Sequence, residues 1–298
     1  MHLISEATRP CWGGMMIGKD PYRIRSFVAD FDAISAEIVA RSRALAARSM
    51  IWSGSAYGEG ARERIDILLP PNLRAGAPIH MFIHGGYWRS GDKADYACVA
   101  APVLAAGGIA AIVEYDLMPK ARLATLVGQV RRAVAWLASQ APGLGADPAR
   151  LTVSGHSAGA HLASYLAATG VGEANSPATP IAGLLLVSGI YDLSGIPDSF
   201  LKDEAQMTVA EARAWSPLTA HQQAGSKRII ALGAEETPPF HDQAHRLHRL
   251  YRSVGADTGL MVLPGLNHMN VVLGLADPGH ALGQALADLV HSARHAEA

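Results

Sequence analysis

Short apolar runs alternate along this chain with longer stretches whose apolar positions recur every three or four residues. Residues 21–50 set Phe27, Phe31, Ile34, Ile38 and Leu45 at helical spacing among charges, which predicts one or two helices. Arg62–Leu69 reads as a strand stopped by Pro70-Pro71, and the run IHMFI, ending at Ile83, reads as a buried strand. An alanine-rich helical stretch follows at about 94–106, then a strand at Ile109–Glu114 and a long amphipathic helix from Arg122 to Ser139. Beyond these come strand Leu151–Ser154, helix Ala158–Thr169, strand Ile181–Ser188 and strand Arg228–Gly233. A helix around Phe240–Val254, a strand at Gly259–Leu263 and a C-terminal helix complete the pattern.

Strands alternating with helices of this length require crossover connections, so the expected class is α/β with a mostly parallel central sheet flanked by helices. The strands are apolar on both faces, as burial between two helical layers demands. The segment Asp192–Ser226 breaks the alternation and is expected to be a small cap insertion, about 192–226, in a domain spanning 57–298. Residues 1–56 are expected to form an N-terminal helical segment that packs on the core or the pocket. In such sheets ligands sit outside the carboxyl ends of the strands, and that is where chemistry should be sought.

One such end carries Gly155-His156-Ser157-Ala158-Gly159, a G-x-S-x-G between strand LTVS and the small-residue helix AHLASYLAA. The motif needs this context, a tight strand-to-helix turn that lifts the serine hydroxyl above the sheet. Ser157 is therefore the expected nucleophile. A serine hydroxyl is a poor nucleophile without a base, and the base needs an orienting acid. His268, in GLNHMN just past a strand, is the expected base, whereas His161, one turn into the nucleophile helix, reads as a packing residue. The acid should follow a strand between them. Glu236 is expected, with Glu235 beside it and Asp192, after LLLVSGIY, as competitors.

A tetrahedral intermediate also needs donors aimed at its developing oxyanion. The backbone N–H of Ala158 can supply one. Gly85 and Gly86, at the end of IHMFIHGG, can supply others because they bring bare backbone close to a ligand. His84 is expected to buttress that loop by hydrogen bonding. Tyr87, Trp88, Trp215 and Phe240 are the expected substrate-binding residues, as aromatic walls of the pocket or packing beneath it.

Composition narrows the alternatives. With 25 Lys plus Arg against 26 Asp plus Glu in 298 residues, and no like-charge block, neither a nucleic-acid surface nor a polybasic membrane patch is expected. The cysteines Cys11 and Cys98 make neither a disulfide framework nor a CxxC pair. His241, His245 and His248 share one helix face, but no HExxH glutamate accompanies them and Arg246 and Arg249 mark a solvated surface, so no metal is expected. No G-x-G-x-x-G follows any strand, and no cofactor is expected. The start MHLISEATRPCWGG lacks the charge and apolar core of a signal peptide, so cytoplasmic residence is the default expectation. The expected partner is a small-molecule substrate; a homodimer is compatible with the sequence.

HGGYW together with SGHSAGAHLA resembles the α/β-hydrolase superfamily, on the HGG-loop branch shared with hormone-sensitive-lipase-type esterases, and looks closer still to the kynurenine formamidase (arylformamidase) group. The resemblance runs from about Tyr57 to the C-terminus and includes YDLMP at 115–119 and QVRRAVAWL at 129–137. It implies an α/β-hydrolase fold. That family's HGGxW oxyanion loop maps onto His84, Gly85, Gly86 and Trp88, its serine onto Ser157 and its late histidine onto His268. Two positions depart: Glu236 stands where aspartate is common, and Met269 where an aromatic is frequent. The implied function is a serine hydrolase of a small aryl-bearing amide or ester, N-formylkynurenine being the best single candidate, through an acyl-enzyme. A general carboxylesterase would share every catalytic residue, and an inactive binding protein on the same fold is the third expectation.

Overall fold

The computed structural model describes residues 18–174 and 176–293, and in it the short apolar runs become strands of one sheet. The readings of MHLISEATRPCWGG and of Cys11 lie outside the described residues. Among those residues the sheet has eight strands: β1 Met50–Ala56, β2 Arg64–Leu69, β3 Ala77–Ile83, β4 Ile109–Val113, β5 Ala146–His156, β7 Gly183–Val187, β9 Lys227–Gly233 and β10 Thr258–Leu263. Their order is β1-β2-β4-β3-β5-β7-β9-β10. The pairs β1–β2 and β2–β4 are antiparallel, and every pairing from β4 to β10 is parallel. Two-residue strands β6 (Ala168–Thr169) and β8 (His221–Gln222) pair separately.

Strand periodicity sorts the core into two layers, because successive side chains leave opposite faces of a sheet. Along β3, Ile79, Met81 and Ile83 join one buried cluster while Phe82 joins the other. On β4 the same split separates Ile109, Ala111 and Val113 from Ala110 and Ile112. The first cluster is closed by Val127, Val130 and Leu137 of α3 (Leu123–Gln140) and by Leu247 of α7 (Pro238–Ser253). The second is closed by Ile38 and Leu45 of α1 (Phe31–Ala46), Val103 of α2 (Ala100–Ala105) and Leu286 of α9 (Ala281–His291). Each such side chain contributes about 1.5–3 kcal/mol by leaving water. The expected α/β architecture with helices on both faces is what forms.

The structure departs from the sequence pattern in two instructive places. β1 was not expected, because Ser53-Gly54-Ser55 interrupts its apolar alternation. The register shifts between Trp52 and Ser55, with Gly54 at φ 71°, so a bulge lets the strand continue through those polar residues. The helix expected over Ala158–Thr169 ends early, as α4 Ala158–Ser164. There the Arg131 guanidinium donates to the carbonyls of Tyr165 at 3.1 Å and Ala168 at 2.9 Å, which supplies partners that continued helix would otherwise provide. The chain then turns to build β6.

Between β7 and β9, residues 192–226 contain α5 (Lys202–Ala205), α6 (Val209–Ala214) and the 3₁₀ turn Pro217–Thr219. The C-terminal helical region is split into α8 (Val271–Leu275) and α9. Among the described residues no helix is long and apolar enough to cross a membrane. The carboxyl ends of β3, β5, β7, β9 and β10 lie along one edge of the sheet, since these strands are mutually parallel.

Candidate active site

At the end of β5 the chain reverses into α4 through Ser157, whose φ of 55° and ψ of −119° are an unusual backbone state for a residue with a side chain. The neighbouring glycines make the turn feasible. A Cβ on Gly155 would stand 2.3 Å from the Gly159 carbonyl oxygen, and one on Gly159 would stand 2.0 Å from that of Ile83. The Ser157 amide donates to Val187 at 2.9 Å, tying the turn to the end of β7. The result aims the hydroxyl out of the sheet edge.

His268, in the loop after β10, meets that hydroxyl: its Nε2 lies 3.0 Å from Ser157 Oγ. Its Nδ1 lies 2.8 Å from Glu236 Oε2. The other Glu236 oxygen accepts from the Gly233 amide at 2.8 Å and from the Ser188 hydroxyl at 2.5 Å. Glu236 is thereby held as a buried acceptor, with 1% exposure. Glu235 is exposed, and Asp192 is ion-paired with Arg246 at 3.1 Å. Of the expected acids, the structure brings only Glu236 to His268.

His156 links the two loops around Ser157. Its Nε2–H donates to the His268 carbonyl at 2.9 Å, and a Cβ on Gly85 would lie 3.0 Å from its Nδ1. Burial lowers its imidazole to about 3, so it stays neutral beside His268. No motif in the sequence pointed to this strut.

The expected oxyanion loop lies against the serine. A Cβ on Gly85 would stand 3.2 Å from Ser157 Cβ, and one on Gly86, where φ is 115°, would collide with the Ser90 carbonyl at 2.1 Å. Only glycine permits this approach. Gly85 thus brings main chain against the Ser157 side chain, with Gly86 and Ala158 the next residues along the two loops. Beneath them His84 binds the Gly85 carbonyl through Nδ1 at 2.7 Å and Glu114 through Nε2 at 2.8 Å, as the sequence reading anticipated. Burial would raise the Glu114 carboxyl, but His84, the Lys93 amide and Arg62 together hold it below its usual range.

The aromatic assignments need correction. A cavity of about 610 Å³ opens onto Ser157 and His268, and Tyr87 lines it, but Trp88, Trp215 and Phe240 do not. Tyr87 and Trp88 both have positive φ, 50° and 60°, and the backbone turns Trp88 into the core. There its Nε1–H donates to His161 Nδ1 at 3.1 Å, and His161 Nε2–H donates to the Trp215 carbonyl at 2.8 Å. His161 is the packing residue expected; burial lowers it to about 4 and keeps it neutral. Trp215 packs edge-on to Tyr165, and Phe240 backs the His268 ring at 4.5 Å between centroids. Met269, beside His268 in GLNHMN, lines the cavity, and so do Arg23, Phe31 and Phe200, which lie in segments without a chemical motif and were missed. Among the described residues, His241, His245 and His248 are not brought together as a group of three ligating side chains.

A strand-to-helix serine turn after β5, a carboxylate after β9 and a histidine after β10, all at one edge of the sheet, define an α/β-hydrolase. Comparison with known proteins agrees. The BD-FAE family matches residues 65–237. The kynurenine formamidase of Salmo salar is 31% identical over 240 residues, covering 78% of this chain and 80% of that protein. The isoprenylcysteine alpha-carbonyl methylesterase of Arabidopsis thaliana is 25% identical over 263 residues, covering 81% of this chain and 61% of that protein. A crystal structure from Silicibacter sp. superposes with TM-score 0.73 at 25% identity, covering 89% of this chain and 96% of that one. The chain belongs to the BD-FAE family, within the kynurenine formamidase and esterase branch of the α/β-hydrolases. It is a hydrolase.

Proposed function

We propose that this hydrolase works by serine nucleophilic catalysis on a small aryl-bearing amide or ester, with an aryl formamide such as N-formylkynurenine as the preferred substrate. The observation that carries the mechanism is the continuous chain from Ser157 Oγ through His268 to Glu236, at 3.0 and 2.8 Å. In the resting enzyme Glu236 accepts from His268 Nδ1–H, which leaves the Nε2 lone pair facing the serine. His268 takes the serine proton as Oγ attacks the carbonyl carbon. The N–H groups near Gly85, Gly86 and Ala158 receive the developing oxyanion. His268 then protonates the departing amine or alcohol, and water, activated by the same imidazole, hydrolyses the acyl-enzyme.

Three features support the aryl formamide. The Gly85 main chain passes close to the Ser157 side chain, a setting that suits a small acyl group. Tyr87 and Phe200 meet edge to face at 5.5 Å between centroids in the cavity wall, a surface on which an aryl leaving group can pack. The Salmo salar relative is a kynurenine formamidase. The second reading, a carboxylesterase for short acyl esters, is favoured by the methylesterase relative.

A panel of N-formyl aromatics against p-nitrophenyl esters of short acids separates the two. The formamidase reading expects kcat/KM for the best N-formyl aromatic to exceed that for aliphatic esters of similar size by on the order of tenfold or more, a transition-state difference of about 1.4 kcal/mol. Faster turnover of the aliphatic esters would assign the protein to the esterases, with its catalytic residues unchanged.

A further inference from the structure

The cavity that opens onto Ser157 and His268 is also lined by three arginines, Arg23, Arg25 and Arg89. Two are neutralised. Arg25 pairs with Asp32 at 2.6 Å, and Arg89 pairs with Glu204 at 2.5 Å. Arg23 has no ion pair and no side-chain hydrogen bond among the described residues. Its guanidinium lies over the Phe200 ring, 4.7 Å from the centroid. That contact holds the charge by its flat face and leaves the edge N–H groups free for a planar anion.

The backbone under Arg23 is fixed by elements of the site. The Tyr87 hydroxyl donates to the Tyr22 carbonyl, and Gln243 Nε2 donates to the Tyr22 hydroxyl at 3.2 Å. Thr237 Oγ1 donates to the Pro21 carbonyl at 2.8 Å, and the Phe200 amide donates to Asp20 Oδ2 at 2.6 Å. Thr237 directly follows Glu236, and Tyr87 directly follows Gly86, so the same loops that build the catalytic centre set the position of Arg23. Asp95 is the remaining acid of the cavity lining, and it forms no ion pair with Arg23 among the described residues.

We propose that Arg23 is a specificity-determining residue that binds a carboxylate on the substrate's leaving group, so that the preferred substrates are aryl amides or esters with an anionic group distal to the scissile bond. This rests on the hydrolase reading of the site. A substrate seated on Ser157 lays its ring along Tyr87 and Phe200, and its carboxylate meets the guanidinium at the far end of that wall. The pairing is bidentate, which selects a planar carboxylate over a neutral amide of the same shape.

The test uses matched substrates and the full-length enzyme. One pair is N-formylkynurenine and its α-carboxamide; the other is an aryl acetate with and without a ring carboxylate. Whichever pair the wild-type enzyme hydrolyses provides the readout, so a formamide-inactive enzyme still tests Arg23. Arg23→Gln should raise KM for the carboxylate substrate about 10- to 100-fold with kcat within about threefold, leave the neutral partner unchanged, and be partly rescued in Arg23→Lys. Arg23 is exposed, so the folded protein should be retained. Equal effects of Arg23→Gln on both members of a pair, or none on either, would overturn the proposal. Loss of both activities in Ser157→Ala alone reports on the catalytic reading instead.

Discussion

Ser157→Ala is expected to lower kcat by on the order of 10⁴ to 10⁶ while leaving the folded structure unchanged. Ser157 Oγ has one hydrogen-bond partner in the described structure, His268 Nε2 at 3.0 Å, so its removal leaves no second buried network broken. The backbone state at φ 55° is set by the Gly155 and Gly159 contacts and by the Ser157 amide bond to Val187. Alanine inherits all of these. What disappears is the hydroxyl that the proposed mechanism bonds to the acyl carbon. Residual turnover would then reflect only carbonyl polarisation by the main-chain donors and the positioning of substrate. Circular dichroism and a thermal melt establish folding; a steady-state assay then reads the loss. A folded Ser157→Ala protein with near wild-type turnover would refute the serine mechanism.

The second large effect is expected at Glu236, and its size follows from the hydrogen-bond directions. In the native site one Glu236 oxygen accepts from Ser188 and the Gly233 amide, and the other faces His268 Nδ1. In Glu236→Gln the amide oxygen remains with the two donors, because the Gly233 N–H cannot accept. The amide NH₂ is then turned toward Nδ1. A donor there stabilises the tautomer with its proton on Nε2, the nitrogen that must accept from Ser157. The variant also lacks the anion that stabilises the imidazolium. The expected fall in kcat is about 10³- to 10⁴-fold. Glu235→Gln should stay within about twofold, since that side chain is exposed and faces no catalytic group. Equal, mild losses in the two variants would place the acid elsewhere.

Much of this site could be read from the residues because its parts carry local steric signatures. Gly155, Ser157 and Gly159 encode a turn at one strand end, and the structure shows which carbonyl oxygens would strike a side chain at either glycine. His268 was legible from its place just past a strand. Glu236 was not separable from Glu235 by pattern: both follow β9, and what selects Glu236 is the Gly233 amide and Ser188, the latter 48 residues away in sequence. The substrate wall was read less well. Large aromatics beside Gly85 and Gly86 suggested a lining, yet successive positive φ angles at Tyr87 and Trp88 direct one ring to the cavity and bury the other against His161. Arg23 and Phe200 carry no motif, because tertiary hydrogen bonds around Asp20, Tyr22 and Phe200 bring them to the site.

Nucleophilic catalysis by Ser157 is tested by labelling with a fluorophosphonate, followed by peptide mass spectrometry. One adduct per chain is expected, on Ser157, with activity lost in proportion to labelling and no adduct in Ser157→Ala. Full hydrolytic activity after exhaustive exposure to the probe, or inactivation with the adduct on another residue, would contradict it.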